Sequence, residues 1–510
     1  MADRELQPDS TGAGQKAGLG VLVATCVSAL IVNANTSAVT ILLPAIGEDV
    51  GAPISTLQWA VTGYTLVGAA FIVTSGALGD VFGRRRIFIG GLLLFIVSCV
   101  FIAFAGSGAA VIAGRAIQGA AGSTILACGM SLLTIASSGN ERLRAVSLWG
   151  AASAIGAALG PLIGGVLVDT TGWQGLFWIN AGVAVLCLPL TRRTVEESLD
   201  PDRPRSIDWL GTFLVAAILA PLILGVSEGA DWGWTSVATI SCFVISIAAA
   251  FAFVAVERRS PAPLIDLALM RNRVLIGATL GILIGAGTIN GLMFVVSLYF
   301  QDPSTLAMSP LEAGLATLPA TVGMVILAPL VPRFAVKMGT RSVVLLGFIV
   351  MTAGFAFLIA IDSSWAYATF VLPILAVAAG MALSNGPCSS AATSGVPEEQ
   401  VGAASGISNM ARYVGASIVT AVVAAVYANV SADRVAAGAA PGDALAMAVA
   451  GTAIVLTIVS AAGIALAFLA GRHRPPQPLS VDLAAAAAAS AHTLPAPHPA
   501  AAERAAPGVA

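Results

Sequence analysis

The sequence predicts an all-α integral membrane protein in which fourteen spanning helices form two six-helix bundles with two further central helices inserted between them. Three observations carry this. Of 510 residues, 57% are hydrophobic and only 10% are charged, whereas a soluble domain carries roughly 25% charge on a surface that must face water. Apolar runs long enough to cross a hydrocarbon core of about 30 Å, which takes about 20 residues, recur along the chain. Lysine and arginine concentrate in alternate gaps between those runs, the pattern left when cations are retained on the cytoplasmic side.

Taken in order, residues 1–17 form a polar N-terminal tail. The apolar run after it is too long for the core of a signal peptide and is expected to stay as the first span. The fourteen spans fall at 19–43, 54–78, 87–105, 109–135, 145–168, 173–191, 209–227, 236–256, 274–299, 311–331, 342–360, 365–386, 401–427 and 445–470. Backbone groups in lipid must be satisfied within the segment, which makes each run a helix; continuous runs of this length exclude a closed barrel. With the N-terminus inside, the cytoplasmic gaps and tails hold 21 lysines and arginines and the external gaps hold one, Arg434. Both termini are therefore expected in the cytoplasm, with an even number of spans.

A shift of 256 residues lays Phe82-Gly83-x-Arg85 on Met338-Gly339-x-Arg341, and Gly150 on Gly406. The bundles are accordingly expected at 18–191 and 273–470, with 192–272 a linker carrying spans 7 and 8. Internal repeats of this kind mark secondary transporters, whose substrate site lies near the midplane between halves that rock. Residues 471–510 are Ala/Pro-rich without a packing pattern and are expected to be a disordered cytoplasmic tail.

Composition also removes several chemistries. His473, His492 and His498 all lie in that tail, so no histidine acid, base or metal ligand is expected in the body of the chain. The two lysines, Lys16 and Lys337, stand outside the apolar runs, which excludes a P-loop lysine and a buried Schiff base. Six scattered cysteines without a C-x-x-C read as small buried hydrophobes. A net charge of -2 gives no reason to expect nucleic acid. No cofactor and no metal are expected, and the chain is not expected to be an enzyme.

Three motifs remain. Gly76-x-Leu78-Gly79-Asp80-x-x-Gly83-Arg84-Arg85-Arg86 follows span 2; its glycines allow a tight turn, Asp80 can bond helix-end amides or an arginine, and bare arginines at that place read as topology anchors. Arg115-x-x-Gln118-Gly119 lies in span 4. Gly156-x-x-x-Gly160-Pro161-x-x-Gly164-Gly165 lies in span 5, where Gly156, Gly160 and Gly164 share a helix face that lets a neighbour approach and Pro161 bends the helix. That face reads either as a hinge seam between the halves or as ordinary glycine packing.

On these motifs the sequence resembles the major facilitator superfamily. They look like its helix 2–3 signature, the helix 4 signature whose arginine is associated with proton transfer, and the helix 5 antiporter signature of exporters. Trp59 and Tyr64, Trp173-x-x-x-Phe177-x-Ile179-Asn180, and Asp208-Trp209-x-Gly211 are further matches. Fourteen spans resemble the drug:proton antiporter branch. The resemblance implies export of a hydrophobic small molecule in exchange for protons, from the cell membrane, with a monomer sufficient. It assigns gating to Gly76, Asp80, Gly83, Arg84 and Arg85, coupling or substrate contact to Arg115 and Gln118, and the hinge to Gly156, Gly160, Pro161, Gly164 and Gly165. An uptake permease or uniporter on the same fold, or a membrane receptor that binds without transporting, are the rival readings.

The sequence departs from the branch in span 1, where Asn35 occupies the position of an aspartate. Asn35 either joins a polar cluster with Arg115 or merely bonds neighbouring backbone. No acid falls at the centre of a span, while Arg115 and Arg412 do lie inside spans. An intramembrane arginine is a functional hypothesis by default. The cavity is therefore expected to be electropositive, favouring neutral, zwitterionic or anionic amphiphiles, with Asn35, Asn290, Asn409 and Arg412 as candidate lining residues.

Overall fold

A computed structural model describes residues 10–136, 139–198, 208–261, 263–265, 267–327, 330–396 and 401–469. The expected tail at 471–510 and the middle of the linker, with Arg203 and Arg205, lie outside the described residues. Among the described residues fifteen α-helices follow one another: α1 (Ser10–Val50), α2 (Ile54–Phe82), α3 (Arg84–Ala103), α4 (Gly108–Ile135), α5 (Gly139–Thr171), α6 (Gln174–Thr194), α7 (Trp209–Trp232), α8 (Val237–Glu257), α9 (Arg273–Gln301), α10 (Pro310–Leu327), α11 (Val331–Met338), α12 (Thr340–Leu358), α13 (Tyr367–Ser394), α14 (Val401–Ala436) and α15 (Pro441–Leu469). Thirteen are long and apolar enough to cross a membrane. Counted as one span, the two parts of α5, Leu148–Ala157 and Leu159–Thr171, bent by 40° at the break, make a fourteenth. The bend follows from Pro161, which lacks the N–H that would bond the carbonyl of Ala157 and crowds that carbonyl with its ring.

The expected span at 311–331 corresponds to α10, described as far as Leu327, and Val331 at its expected end belongs to the separate short α11, which carries Arg333 and Lys337 beside the exposed Phe334, Val336 and Met338. Mixed charge and apolar surface suit an interface better than a hydrocarbon core.

The helix pairings repeat. α1 packs on α5, α2 on α4, and α3 on α4 and α6; in the second half α9 packs on α14, α10 on α13, and α12 on α13 and α15. Between the halves, α2 meets α14 and α10 meets α5. α7 and α8 form a hairpin that rests on α2 and α14 through α7, pinned by a 2.5 Å bond between the hydroxyls of Thr74 and Thr212. Its outer surface displays the exposed apolar side chains Phe213, Val237, Val244 and Phe251.

The repeat extends to single residues. Gly83 joins α2 to α3 at φ +106°, and Gly339 joins α11 to α12 at φ +84°. Only glycine adopts this backbone at no steric cost, so one residue connects each helix pair. Arg85 donates from Nη1 to the carbonyl of Val195 just past α6 (3.1 Å), and Arg341 donates from Nε to that of Ala467 near the end of α15 (2.9 Å). In each half, the motif arginine ties the third helix of the bundle to the sixth.

Candidate functional site

A cavity of about 510 Å³ lies between the halves, lined by α1, α5, α9, α10, α13 and α14 and touched by Met130 of α4. Along α5 it is bounded by Trp149, Ser153, Ala157 and Pro161, and along α13 by residues from Ala378 to Thr393. It thus runs from mid-bundle toward the end of the molecule that carries the α2–α3 loop. The opposite end is closed by close approach of backbones. A methyl group on Gly165 of α5 would lie 2.6 Å from Leu311 Cα of α10, and one on Gly314 would lie 2.5 Å from the Pro161 carbonyl oxygen. Ser297 Oγ of α9 donates to the carbonyl of Thr40 of α1 at 3.0 Å.

The span 5 glycines consequently divide in two: the shared face of Gly156, Gly160 and Gly164 matches the ordinary-packing reading and not a seam between the halves. Methyl groups on Gly156 and Gly160 would collide with Leu30, and with Ser37 and Ala34, respectively, and one on Gly164 would press tightly on Ala38, all on α1 within the same half. Only the adjoining face, Pro161 with Gly165, meets the other half. The α1 stripe has a counterpart in Gly415 of α14, which abuts Leu283 of α9. Glycine packing inside a bundle and backbone contact between bundles are thus both present, on neighbouring faces of one helix.

Arg115 sits outside the cavity, fully buried. Its Nε donates to the Ala60 carbonyl at 2.9 Å, its Nη1 donates to Gln118 Oε1 at 2.5 Å, and its guanidinium lies 4.2 Å over the Tyr64 ring. Asn35 Nδ2 also donates to Gln118 Oε1 (3.0 Å) and Asn180 Nδ2 donates to Asn35 Oδ1 (3.1 Å). Gln118 Nε2 reaches Cys99 Sγ at 3.0 Å. Of the two readings of Asn35, the polar cluster is the one formed, and Asn35 faces into packed protein, not the cavity as expected. No carboxylate belongs to this cluster among the described residues; Arg115 is held by a carbonyl, an amide and an aromatic face. Its Nε and Nη1 are met by dipoles, which helps keep a charge tolerable away from water, while Nη2 is enclosed without a hydrogen-bond partner.

Asn290, Asn409 and Arg412 all line the cavity, joined by Asn33, Ser37 and Asn385. The last three went unnoticed in the sequence, although a polar residue within an apolar run is a visible signal. Trp149, the aromatic residue on the cavity face of α5, lacked any such mark.

At the motif loop Arg84 pairs with Asp80, Nη2 to Oδ1 at 2.8 Å and Nε to Oδ1 at 2.9 Å. Beneath it runs the segment after α6. Glu197 Oε1 accepts from the backbone N–H of Arg85 (3.0 Å), Glu197 Oε2 lies 3.8 Å from Arg85 Nε and 3.5 Å from Arg86 Nε, and the Ser198 carbonyl accepts from Arg84 N–H (3.1 Å). A carboxylate at the start of α3 meets unsatisfied amides and positive charge together. Gly83 passes directly over it, where a methyl group would lie 2.6 Å from Glu197 Oε1. Gly76 has open space around it. Glu197 is thus a member of this site that sequence reading missed; its place four residues after Arg193, in the same gap between spans, was the available signal.

The sequence profile of the Major Facilitator Superfamily matches residues 25–420. The chain belongs to this superfamily. Among its relatives, multidrug resistance protein Stp of Mycobacterium tuberculosis is 31% identical over 408 residues, covering 80% of this chain and 75% of the relative. The tetracenomycin C resistance and export protein of Streptomyces glaucescens is 28% identical over 408 residues, covering 80% and 76%. Cephamycin export protein CmcT of Amycolatopsis lactamdurans is 31% identical over 407 residues, covering 79% and 83%. The POT family transporter PepTSo shares the fold at a TM-score of 0.65 and 14% identity, over 90% of this chain and 99% of that one. The protein is therefore a multi-pass membrane protein of the major facilitator type, and the cavity lies between the two halves of that fold.

Proposed function

We propose that this major facilitator protein exports hydrophobic small molecules of the antibiotic or drug kind from the cytoplasm, in exchange for protons, by alternating access. The observation that carries the reading is the central cavity, sealed by backbone contact at one end and extending toward the Asp80–Arg84 loop at the other. With the positively charged gaps inside, that loop and both termini are cytoplasmic, the membrane is the plasma membrane, and the structure stands in its inward-facing state. The exporter and resistance names of the relatives support the direction. A monomer contains the whole cavity. Asp80, with Arg84, Arg85 and Glu197 around the Gly83 turn, sets the cytoplasmic gate, while Pro161 and Gly165 form the outer one. The Arg115–Gln118–Asn35 cluster ties α1, α2, α4 and α6 together and transmits movement between them. Substrate needs no covalent step. One charge moving through 100 mV gains about 2.3 kcal/mol, which at 1.4 kcal/mol per factor of ten sustains a substrate gradient of roughly fifty-fold.

The test is a resistance screen across compound classes in a pump-deficient bacterial host, followed by inside-out vesicles loaded with the protein. Energised vesicles should accumulate a compound to which the host became resistant, and collapse of the pH gradient should release it. Movement in the opposite sense would make the protein an uptake permease and overturn the proposal.

A further inference from the structure

Three asparagines in the cavity wall turn their amide nitrogens back onto their own helices. Asn33 Nδ2 donates to the Ala29 carbonyl (2.8 Å), Asn290 Nδ2 to Ala286 (2.8 Å) and Asn409 Nδ2 to Ser405 (3.1 Å). Each leaves an amide oxygen, an acceptor with two lone pairs, that takes no hydrogen bond from any described residue. Asn385 adds a fourth such oxygen, enclosed and without a partner. The wall is thus rich in acceptors.

One charged side chain stands among the residues lining this cavity, Arg412. Its Nε is enclosed without a hydrogen-bond partner, and no described residue forms an ion pair or hydrogen bond with its side chain. A guanidinium stays protonated at any physiological pH. An enclosed charge lacking a partner is the costly case among buried polar groups, so a ligand that brings the missing anion relieves the cost on binding. The rest of the wall, with Met130, Trp149, Met293 and Met381, is soft and apolar and accepts a bulky hydrocarbon or aromatic body.

We infer that the cavity binds a singly anionic amphiphile, its carboxylate or equivalent planar oxyanion seated on Arg412 while hydroxyl or amide donors on its apolar body meet the asparagine oxygens. This rests on the cavity being the substrate site of the proposed exporter. A cation finds no counter-charge in this wall, and a second anionic group finds no second cation. A neutral compound gains the apolar contacts but leaves Arg412 unpaired. Recognition of a carboxylate by a guanidinium is bidentate and charge-assisted, so discrimination resides in one residue.

The experiment uses the full chain in lipid nanodiscs and three probes that share one ring system: naphthalene-2-acetate, naphthalene-2-acetamide and (2-naphthylmethyl)trimethylammonium. Binding is measured by equilibrium dialysis with empty discs subtracted. The parent should bind the acetate about tenfold tighter than the acetamide and the ammonium weakest of the three. Arg412→Gln should bring the acetate down to the acetamide's affinity while the acetamide stays within about twofold of its parent value, which also reports that the variant is folded. Asn385→Asp adds a carboxylate to the wall that holds Arg412 and should offset its charge, so that the acetate loses its advantage over the ammonium. A parent that takes the ammonium as tightly as the acetate overturns the inference. So does an equal loss of acetate and acetamide in Arg412→Gln combined with an undiminished acetate advantage in Asn385→Asp. Export is measured separately in vesicles: a cavity preferring the cation removes this inference and leaves export standing, whereas anion binding without outward movement does the reverse.

Discussion

If the α2–α3 loop is cytoplasmic, as proposed, a single methyl group on Gly165 should shift the protein out of its inward-facing state. The added Cβ would stand 2.6 Å from both Leu311 Cα and the Pro310 carbonyl oxygen, and 2.9 Å from Leu311 N. These are backbone atoms of another helix, so no side-chain rotation clears the space. Ordinary contact begins at 3.4 Å, which requires α5 and α10 to separate by about 0.8 Å. Overpacking of this kind costs about 1–3 kcal/mol. Because the contact exists only while the outer end is closed, that cost falls on one conformation, and a bias of about 1–3 kcal/mol changes its population roughly 5- to 150-fold. Gly164→Ala is the control: its Cβ would sit 3.2 Å from the Ala38 carbonyl oxygen and 3.3 Å from Ala38 Cβ, on α1 in the same half, and needs only a few tenths of an ångström in a bundle that moves as a unit. The assay labels a cysteine placed at Thr321, in the cavity wall, with a membrane-impermeant maleimide applied from outside intact cells, after replacement of the six native cysteines. Gly165→Ala should raise the labelling rate at least fivefold and slow transport, and Gly164→Ala should do neither. Equal labelling of the two variants would refute the outer-gate reasoning.

Three further outcomes are expected. Gly83→Ala forces a left-handed backbone on alanine, which costs about 1–2 kcal/mol, and drives its methyl against Glu197; turnover should fall with substrate affinity retained, and Asp80→Asn, which removes the 2.8 Å pair with Arg84, should lose turnover in the same way. Arg115→Gln should abolish proton-driven export without changing the order of substrate preference, because Arg115 lies outside the cavity; a changed order in a resistance panel would contradict that. Asn35→Asp adds a titratable group beside Gln118 and Asn180 and should give transport a new pH dependence that Asn35→Ala lacks; identical pH profiles for parent and aspartate variant would remove Asn35 from the coupling route.

Much of this architecture was written in local chemistry. Spans are legible because lipid demands an uninterrupted apolar helix, and the Gly83 and Gly339 turns are legible because each motif carries its glycine at the same offset. What sequence could not supply were partners distant along the chain. Asn35 is bonded by Asn180, 145 residues later, and Arg85 by Glu197, 112 residues later, and no periodicity encodes which face meets which. The glycine stripe of span 5 announced close approach to a helix without saying whose. α11 was lost for a different reason: the apolar residues up to Val331 read as a continuation of the span, and hydropathy alone does not register that Pro332 suits the first turn of a new helix.

Main chain closes the end of this protein away from the α2–α3 loop, while side chains furnish its cavity. The two are therefore separable in heredity. Exchange of Asn33, Met293 or Arg412 changes what the wall recognises and leaves the Gly165–Leu311 and Gly314–Pro161 contacts intact, so a lineage can acquire a new substrate by substitution in the wall with no re-tuning of the motion that carries it. The converse path is narrow, since a seam made of glycine tolerates no larger residue, and mutational freedom in such a pump is confined to choosing its cargo.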